Sequence, residues 1–239
     1  VKQFRGAPLA LAGLLTLVFI LVLVNREIAG GVAPAARTAI HRAWAALEGP
    51  ELLLLAFFLA LLVVFDTGYL RATADGRHYF VHVRSLVIDW DLEFANENEL
   101  FRTEMPDIFP FGSAVLWLPF YLAAHAWMNL LNLAGASYNV DGFGNPYQMA
   151  IGLGTLTYGF AGLLIGYRIV RDYFSAWTAA AATIFVTIGS FLVWYLAIES
   201  SYSHGNSLFA ATLFLLIWSR TRDNRTMSQW AWLGLAAGV

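Results

Sequence analysis

The sequence predicts an all-α polytopic integral membrane protein. Three observations lead there. Of the 239 residues, 59% are hydrophobic and only 13% are charged, and the mean hydropathy is +0.62. A water-soluble globule carries about twice that share of charge. The apolar residues also fall in long uninterrupted runs rather than in strand-like alternation. Finally, polar residues gather in a few segments between those runs, as in a chain that repeatedly enters and leaves a bilayer. The net charge of −2 gives no reason to propose nucleic acid as a partner. The absence of cysteine excludes disulfides, thiol catalysis and thiolate metal sites.

The first run, Ala7 to Val24, follows Lys2 and Arg5. Its 18 residues exceed an ordinary signal-peptide core, so it reads as a helix that spans or anchors. Residues 25–50 connect it onward through a short amphipathic stretch, Ala36 to Leu47, suited to a membrane surface. Residues 51–65 are apolar throughout after Glu51. At 1.5 Å per residue they reach only ~22 Å, so that helix must extend into its flanks to cross ~30 Å of hydrocarbon.

Asp66 to Phe111 is a polar segment holding nine of the sixteen acidic residues, between Asp66 and Asp107. Within it, Gly76 to Val87 suits a short helix with Phe80, Val83 and Val87 on one side. Pro106 and Pro110 break the chain before the next run. Ser113 to Leu133 is apolar but interrupted by Pro119, His125, Asn129 and Asn132. A Gly/Asn/Pro loop over 134–148 leads into Met149 to Ile169, where Gly162 and Gly166 form a GxxxG pair that favours close helix packing. Ala176 to Leu196 spans again, the loop 197–206 lacks Lys and Arg, and a further span begins near His204 and runs through Trp218. Another apolar run starts at Trp230 and is still open at Val239.

Arginine placement orients the second half. The turns carrying Arg168, Arg171, Arg220, Arg222 and Arg225 belong on the cytoplasmic side, and the loops 134–148 and 197–206 on the other. The acidic segment is open to either placement. Simple alternation through 113–133 puts it in the cytoplasm, which charge counting slightly favours through Arg71, Arg77, Arg84 and Arg102. Re-entrance of 113–133 puts it outside with the other two polar loops.

The order of features is distinctive. An apolar helix is followed by DGRHYFVHVRSLVIDWDLEFANE, then FPFGSAVLWLPFYLAAH, DGFGNPYQ and YSHGNSLFAATLFLLIW. This order resembles bacterial membrane proteins of the C-type glycosyltransferase (GT-C) superfamily, with the protein O-mannosyltransferase and aminoarabinose transferase branches among the relatives. The resemblance covers about Glu51 to Trp218. It implies a GT-C-like helical bundle, a polyprenyl-phosphate-linked sugar donor, and an active site in the acid-bearing first extracytoplasmic loop. It also implies a multi-pass protein of the bacterial inner membrane. The family's His-Pro-Pro segment is replaced here by Phe109-Pro110-Phe111-Gly112, residues 1–50 read as an extra N-terminal piece, and the family has more spans than this sequence offers. Residues 51–239 are therefore expected to be the N-terminal half of such a fold.

Asp75 lies in the Asp-Gly pair where the resemblance places the family's acidic residue. Inverting glycosyl transfer needs a base to take the acceptor hydroxyl proton, and a carboxylate at a membrane edge suits that role if desolvation raises its pKa. Capping of the loop helix is the competing reading. Asp66, which ends the preceding apolar helix, is the second candidate base. Asp89-Trp90-Asp91 is a D-x-D arrangement able to hold Mg²⁺ or Mn²⁺ on a phosphate, or simply a turn after the helix. Glu93, Asn96 and Glu97 extend that group, with Glu97 a candidate for binding substrate. His78 and His82 are spaced i, i+4, which suits zinc or a surface pair beside aromatics; His82 is also a candidate substrate contact. Arg84 is placed to clamp a phosphate or to pair with Asp89 or Glu93. His204 matches the Ser-His pair at the resemblance's later helix and has Glu199 and Tyr202 beside it; an interfacial histidine is the alternative. Asp141, Tyr147 and Gln148 form a weaker third group, with Tyr147 a candidate for substrate binding.

The function expected from this pattern is transfer of a sugar from a polyprenyl-phosphate carrier to an acceptor at the extracytoplasmic face, with membrane lipid as partner. The rival is a non-catalytic transmembrane subunit of a larger membrane complex, derived from such an enzyme. A transporter ranks behind both, because the apolar runs carry almost no ionisable groups.

Overall fold

The structure, a computed structural model, describes residues 49–64, 70–101, 109–223 and 225–238. Among the described residues every regular element is helical. In chain order these are α1 (Gly49–Val64), α2 (Ala74–Arg84) with a π-helical turn at Ser85–Asp89, α3 (Ala95–Phe101), α4 (Gly112–Leu133) and α5 (Asn145–Val170). Then follow α6 (Ala176–Ile188), α7 (Leu192–Ala197), α8 (His204–Thr221) and α9 (Met227–Gly238). Helices α4 and α5, of 22 and 26 residues, are long and apolar enough to cross a membrane. The N-terminal run and connector of residues 1–48 and Asp66 lie outside the described residues.

The apolar runs form helices because nothing in them offers the backbone another partner. Pro119 does not end α4, which continues through it to Leu133. The expected span Ala176 to Leu196 is corrected. It divides into α6 and α7, with Gly189 capping the first and Phe191 opening the second. The Gly189-Ser190 pair combines a poor helix former with a side chain that bonds backbone: Ser190 Oγ accepts from Leu192 N–H at 3.3 Å.

α5 is the axis of the bundle. α1 runs antiparallel to it: Glu51 pairs with Arg171 at 2.8 Å, Phe58 stacks on Phe160 at 4.7 Å, and Leu70 abuts Gly152. α4 also runs antiparallel to α5, with Trp117 Nε1 donating to Thr155 Oγ1 at 2.8 Å and His125 Nδ1 against the Tyr147 hydroxyl at 2.7 Å. α8 packs along α5 through glycine. A Cβ on Gly162 would lie 2.9 Å from Phe209 N and 3.0 Å from its Cα, whereas one on Gly166 would only touch Thr212 at 3.8 Å. The first glycine of the GxxxG pair is therefore required by a close backbone approach, and the second is not. Gly162→Ala is expected to lower stability by about 2 kcal/mol, because backbone cannot swing away as a side chain can. Thermal unfolding in detergent checks this, with Gly166→Ala as the mild control.

These pairings give the bundle two distinct ends. Arg168, Arg171 and Arg220 lie at one, where Arg220 also pairs with Asp172 at 2.8 Å. The acidic segment 70–101, the loop 134–144 and the connection 198–203 meet at the other. Ala72 N–H donates to Gln148 Oε1 at 3.1 Å, Thr73 N–H to Ser201 Oγ at 3.3 Å, and Arg84 Nε to the Asp141 carbonyl at 3.1 Å. Alternation through α4 does not separate them, because α2 lies beside the N-terminal half of α4, with Tyr79 on Trp117 and Phe80 on Tyr121. Of the arginines in the charge count, Arg71 and Arg77 are exposed, whereas Arg84 is buried between two carboxylates.

Candidate functional site at the polar end

α2 starts abruptly. Thr73 caps it in extended geometry with no side-chain capping bond, and Ala74 has φ of 34°. That left-handed conformation is strained for a residue with a Cβ and is held by the surroundings. Thr73 Oγ1 hydrogen-bonds Glu199, its N–H reaches Ser201, and Gly76 N–H closes a turn on the Thr73 carbonyl at 2.6 Å. The result fixes Asp75 in the first turn of α2, exposed, at the edge of the 198–203 connection. Asp75 is therefore inside the helix rather than its cap, which is Thr73.

Around that edge stand Tyr202, Glu199 and His204. Burial pushes the Tyr202 phenol above its ordinary value, and the charges of Asp75 and Glu199 push the same way. Tyr202 is thus a protonated hydroxyl beside two carboxylates, a donor at any physiological pH. His204 opens α8 and packs against Tyr195 with ring centroids 3.7 Å apart. Immediately before it, Ser203 Oγ donates to the Tyr79 hydroxyl at 3.0 Å, which couples the start of α8 to the middle of α2. The site so formed offers accessible carboxylate, phenol and imidazole groups from segments more than 120 residues apart.

A second polar group lies at the other end of α2. Arg84 pairs with Asp89 and, at 2.7 Å, with Glu97, which is fully buried. Its guanidinium also lies 4.6 Å over the Phe143 ring. The expected pairing with Asp89 is found, and the second partner is Glu97 rather than Glu93. Burial raises the Glu97 pKa, with Arg84 opposing. The carboxylates of the D-x-D sequence turn to different partners. Asp89 accepts from Arg84 and from Asn96 Nδ2 at 2.8 Å, while Asp91 Oδ1 accepts from Ser85 Oγ at 2.7 Å and Glu93 N–H at 3.2 Å. His78 stacks on Phe109 at 4.5 Å, and His82 lies between Phe94 and Phe111 at 4.7 and 5.3 Å. Tyr147 is fully buried against Tyr121, its hydroxyl engaged by His125.

Of the residues singled out in the sequence, Asp75, Glu199, Tyr202 and His204 come together, and Arg84, Asp89 and Glu97 form the neighbouring cluster. Asp66 lies outside the described residues. Thr73, Ser201 and Tyr195 were not legible as site residues; the run Ser200-Ser201-Tyr202-Ser203 held the one signal, an unusual density of hydroxyls between apolar helices. Comparison of the chain with known proteins gives no matching family model, no matching curated protein and no matching solved structure.

Proposed function

We propose that this protein is a membrane glycosyltransferase that moves a sugar from a polyprenyl-phosphate carrier to an acceptor hydroxyl. The observation that carries the proposal is the meeting of Asp75 with Glu199, Tyr202 and His204 at the end of the bundle away from the arginine turns. It adds to the ordered resemblance to C-type glycosyltransferases. In the proposed step the acceptor oxygen bonds to the anomeric carbon as the bond from that carbon to the phosphate oxygen breaks. Asp75 takes the acceptor proton, and polyprenyl phosphate leaves. Tyr202 and Glu199 hold the rim of the site, and Arg84 braces the acidic segment rather than contacting donor, because its guanidinium is already buried and paired.

The test uses purified protein in lipid nanodiscs with a panel of radiolabelled polyprenyl-phosphate sugars, reading release of polyprenyl phosphate. Asp75→Asn is expected to lower turnover by about 10²–10⁴-fold, the usual scale for a lost general base, with unchanged thermal unfolding. Full activity in that variant removes Asp75 from the role. Copurification with a larger membrane complex, with no turnover on any donor, would favour the subunit reading instead.

A further inference from the structure

The segment after α2 is built to present two apolar side chains outward. The π-helical turn Ser85–Asp89 closes with Trp90 N–H donating to the Ser85 carbonyl at 2.9 Å. Trp90 then adopts φ 60° and ψ 32°, a left-handed conformation that costs free energy in any residue with a Cβ. The flanking acids are tied by hydrogen bonds to Arg84, Asn96 and Ser85. Between and beside them Trp90 is 84% exposed and Leu92 65% exposed. A loop meant only for water has no reason to tether its carboxylates and release its indole.

Depth identifies what lies outside. From Arg168 to Tyr147, α5 rises ~32 Å at 1.5 Å per residue, which matches the ~30 Å hydrocarbon layer and puts Tyr147 at its far boundary. Tyr121 packs on Tyr147 at 4.9 Å and its hydroxyl donates to the Gly142 carbonyl at 2.8 Å. Arg84 Cγ and Ile88 Cγ1 both crowd the position of a Gly142 Cβ, at 2.9 and 2.8 Å. Residues 84–88 therefore sit at the boundary, and Trp90 hangs from them. Indole is the side chain that favours this layer, with an apolar face and one N–H donor.

We propose that Trp90 and Leu92 anchor the acidic segment in the interfacial layer of the bilayer, among zwitterionic headgroups, because Asp91 and Glu93 beside them disfavour an anionic surface. The proposal rests on the membrane-spanning reading and not on the sugar-transfer chemistry. Since the chain has no cysteine, Trp90→Cys and Leu92→Cys each accept a single nitroxide label. The full chain is placed in phosphatidylcholine nanodiscs, and collisions with oxygen and with a water-soluble nickel chelate are compared. Phe185→Cys, at an outward position of the apolar helix α6 that is 74% exposed, reports on the apolar flank of the bundle. Higher oxygen than nickel accessibility at 90 and 92, intermediate between bulk water and position 185, is the expected result. Nickel-dominated collisions at 90 and 92 with position 185 in lipid overturn the anchor alone. Position 185 in water overturns the membrane reading and the anchor with it. Labels immobilised and shielded from both reagents indicate a bound protein surface and also overturn the proposal.

Discussion

Replacing Arg84 with methionine is expected to destabilise the protein by about 3–5 kcal/mol, the scale for breaking a buried ion pair from one side. Arg84 is buried and faces two carboxylates, Asp89 and the fully buried Glu97. It also donates to the Asp141 carbonyl and lies over Phe143, so one side chain ties α2 to α3 and to the loop before α5. Methionine fills similar volume but leaves Glu97 to hold its charge without a cation. The pH dependence separates this cause from simple loss of packing. Burial raises the Glu97 pKa in the folded protein above its ordinary value of 4.5, against the opposing effect of Arg84. A carboxyl raised on folding contributes stability that is full below its ordinary pKa and is lost as pH rises through the folded value. Without Arg84 the folded value rises further, so the deficit of Arg84→Met widens from acid toward neutral pH and narrows as pH falls toward 4.5. Melting curves in detergent across that range check the trend. Adding Glu97→Gln to Arg84→Met is expected to recover a large part of the loss, because the buried charge is then gone. A deficit independent of pH, with no recovery in the double variant, would falsify the charge argument.

Much of the bundle was legible because long apolar runs leave the backbone no choice but to bond itself. α1, α5 and α8 begin and end within a few residues of where Glu51, Met149 and His204 place them. The division between α6 and α7 was not legible, since the break involves Ser190 Oγ accepting from the Leu192 backbone, a local alternative to the helix that an apolar run does not announce. Nor was α3, whose sequence Ala95–Phe101 shows little apolar periodicity. What anchors it is tertiary and has no local signature: the ion pair from Glu97 to Arg84, the bond from Asn96 to Asp89, and the packing of Phe101 on Phe80 and Phe143. The site was legible as a set of residue types but not as a place. Asp75 and His204 stood out singly; their meeting depends on α1 and α4 both running antiparallel to α5, which sequence periodicity does not specify. The same geometry brings the acidic segment to the end where the 134–144 loop and the 198–203 connection meet.

Adding one methyl group at Gly76 is expected to open the candidate site without touching any chemically competent group. Gly76 follows Asp75 and is buried where α2 meets the 198–203 connection. A Cβ there would run into the Ser201 hydroxyl and lie 2.6 Å from the Ser201 Cβ and 2.9 Å from its carbonyl oxygen. All three are inside van der Waals contact, and the carbonyl belongs to backbone, so Gly76→Ala must push α2 away from Ser201. That movement breaks the bond from Thr73 N–H to Ser201 Oγ and loosens Thr73 from Glu199. Overpacking of this kind costs about 1–3 kcal/mol, and the crowding of three atoms puts Gly76→Ala at the upper end. The larger consequence is geometric: Asp75 moves with the helix while Glu199, Tyr202 and His204 remain with α7 and α8. Turnover is therefore expected to fall by at least about tenfold, since a base displaced by even ~1 Å loses the alignment on which proton transfer depends. Ser201→Gly removes two of the three clashing atoms. If steric contact is the cause, Gly76→Ala combined with Ser201→Gly regains stability relative to Gly76→Ala, even though Ser201→Gly alone weakens the protein by losing the Thr73 bond. That reversal of sign is what a double-mutant cycle on purified protein would read. Strictly additive losses would mean that α2 does not rest on Ser201, and the convergence of Asp75 with the start of α8 would lose its structural basis.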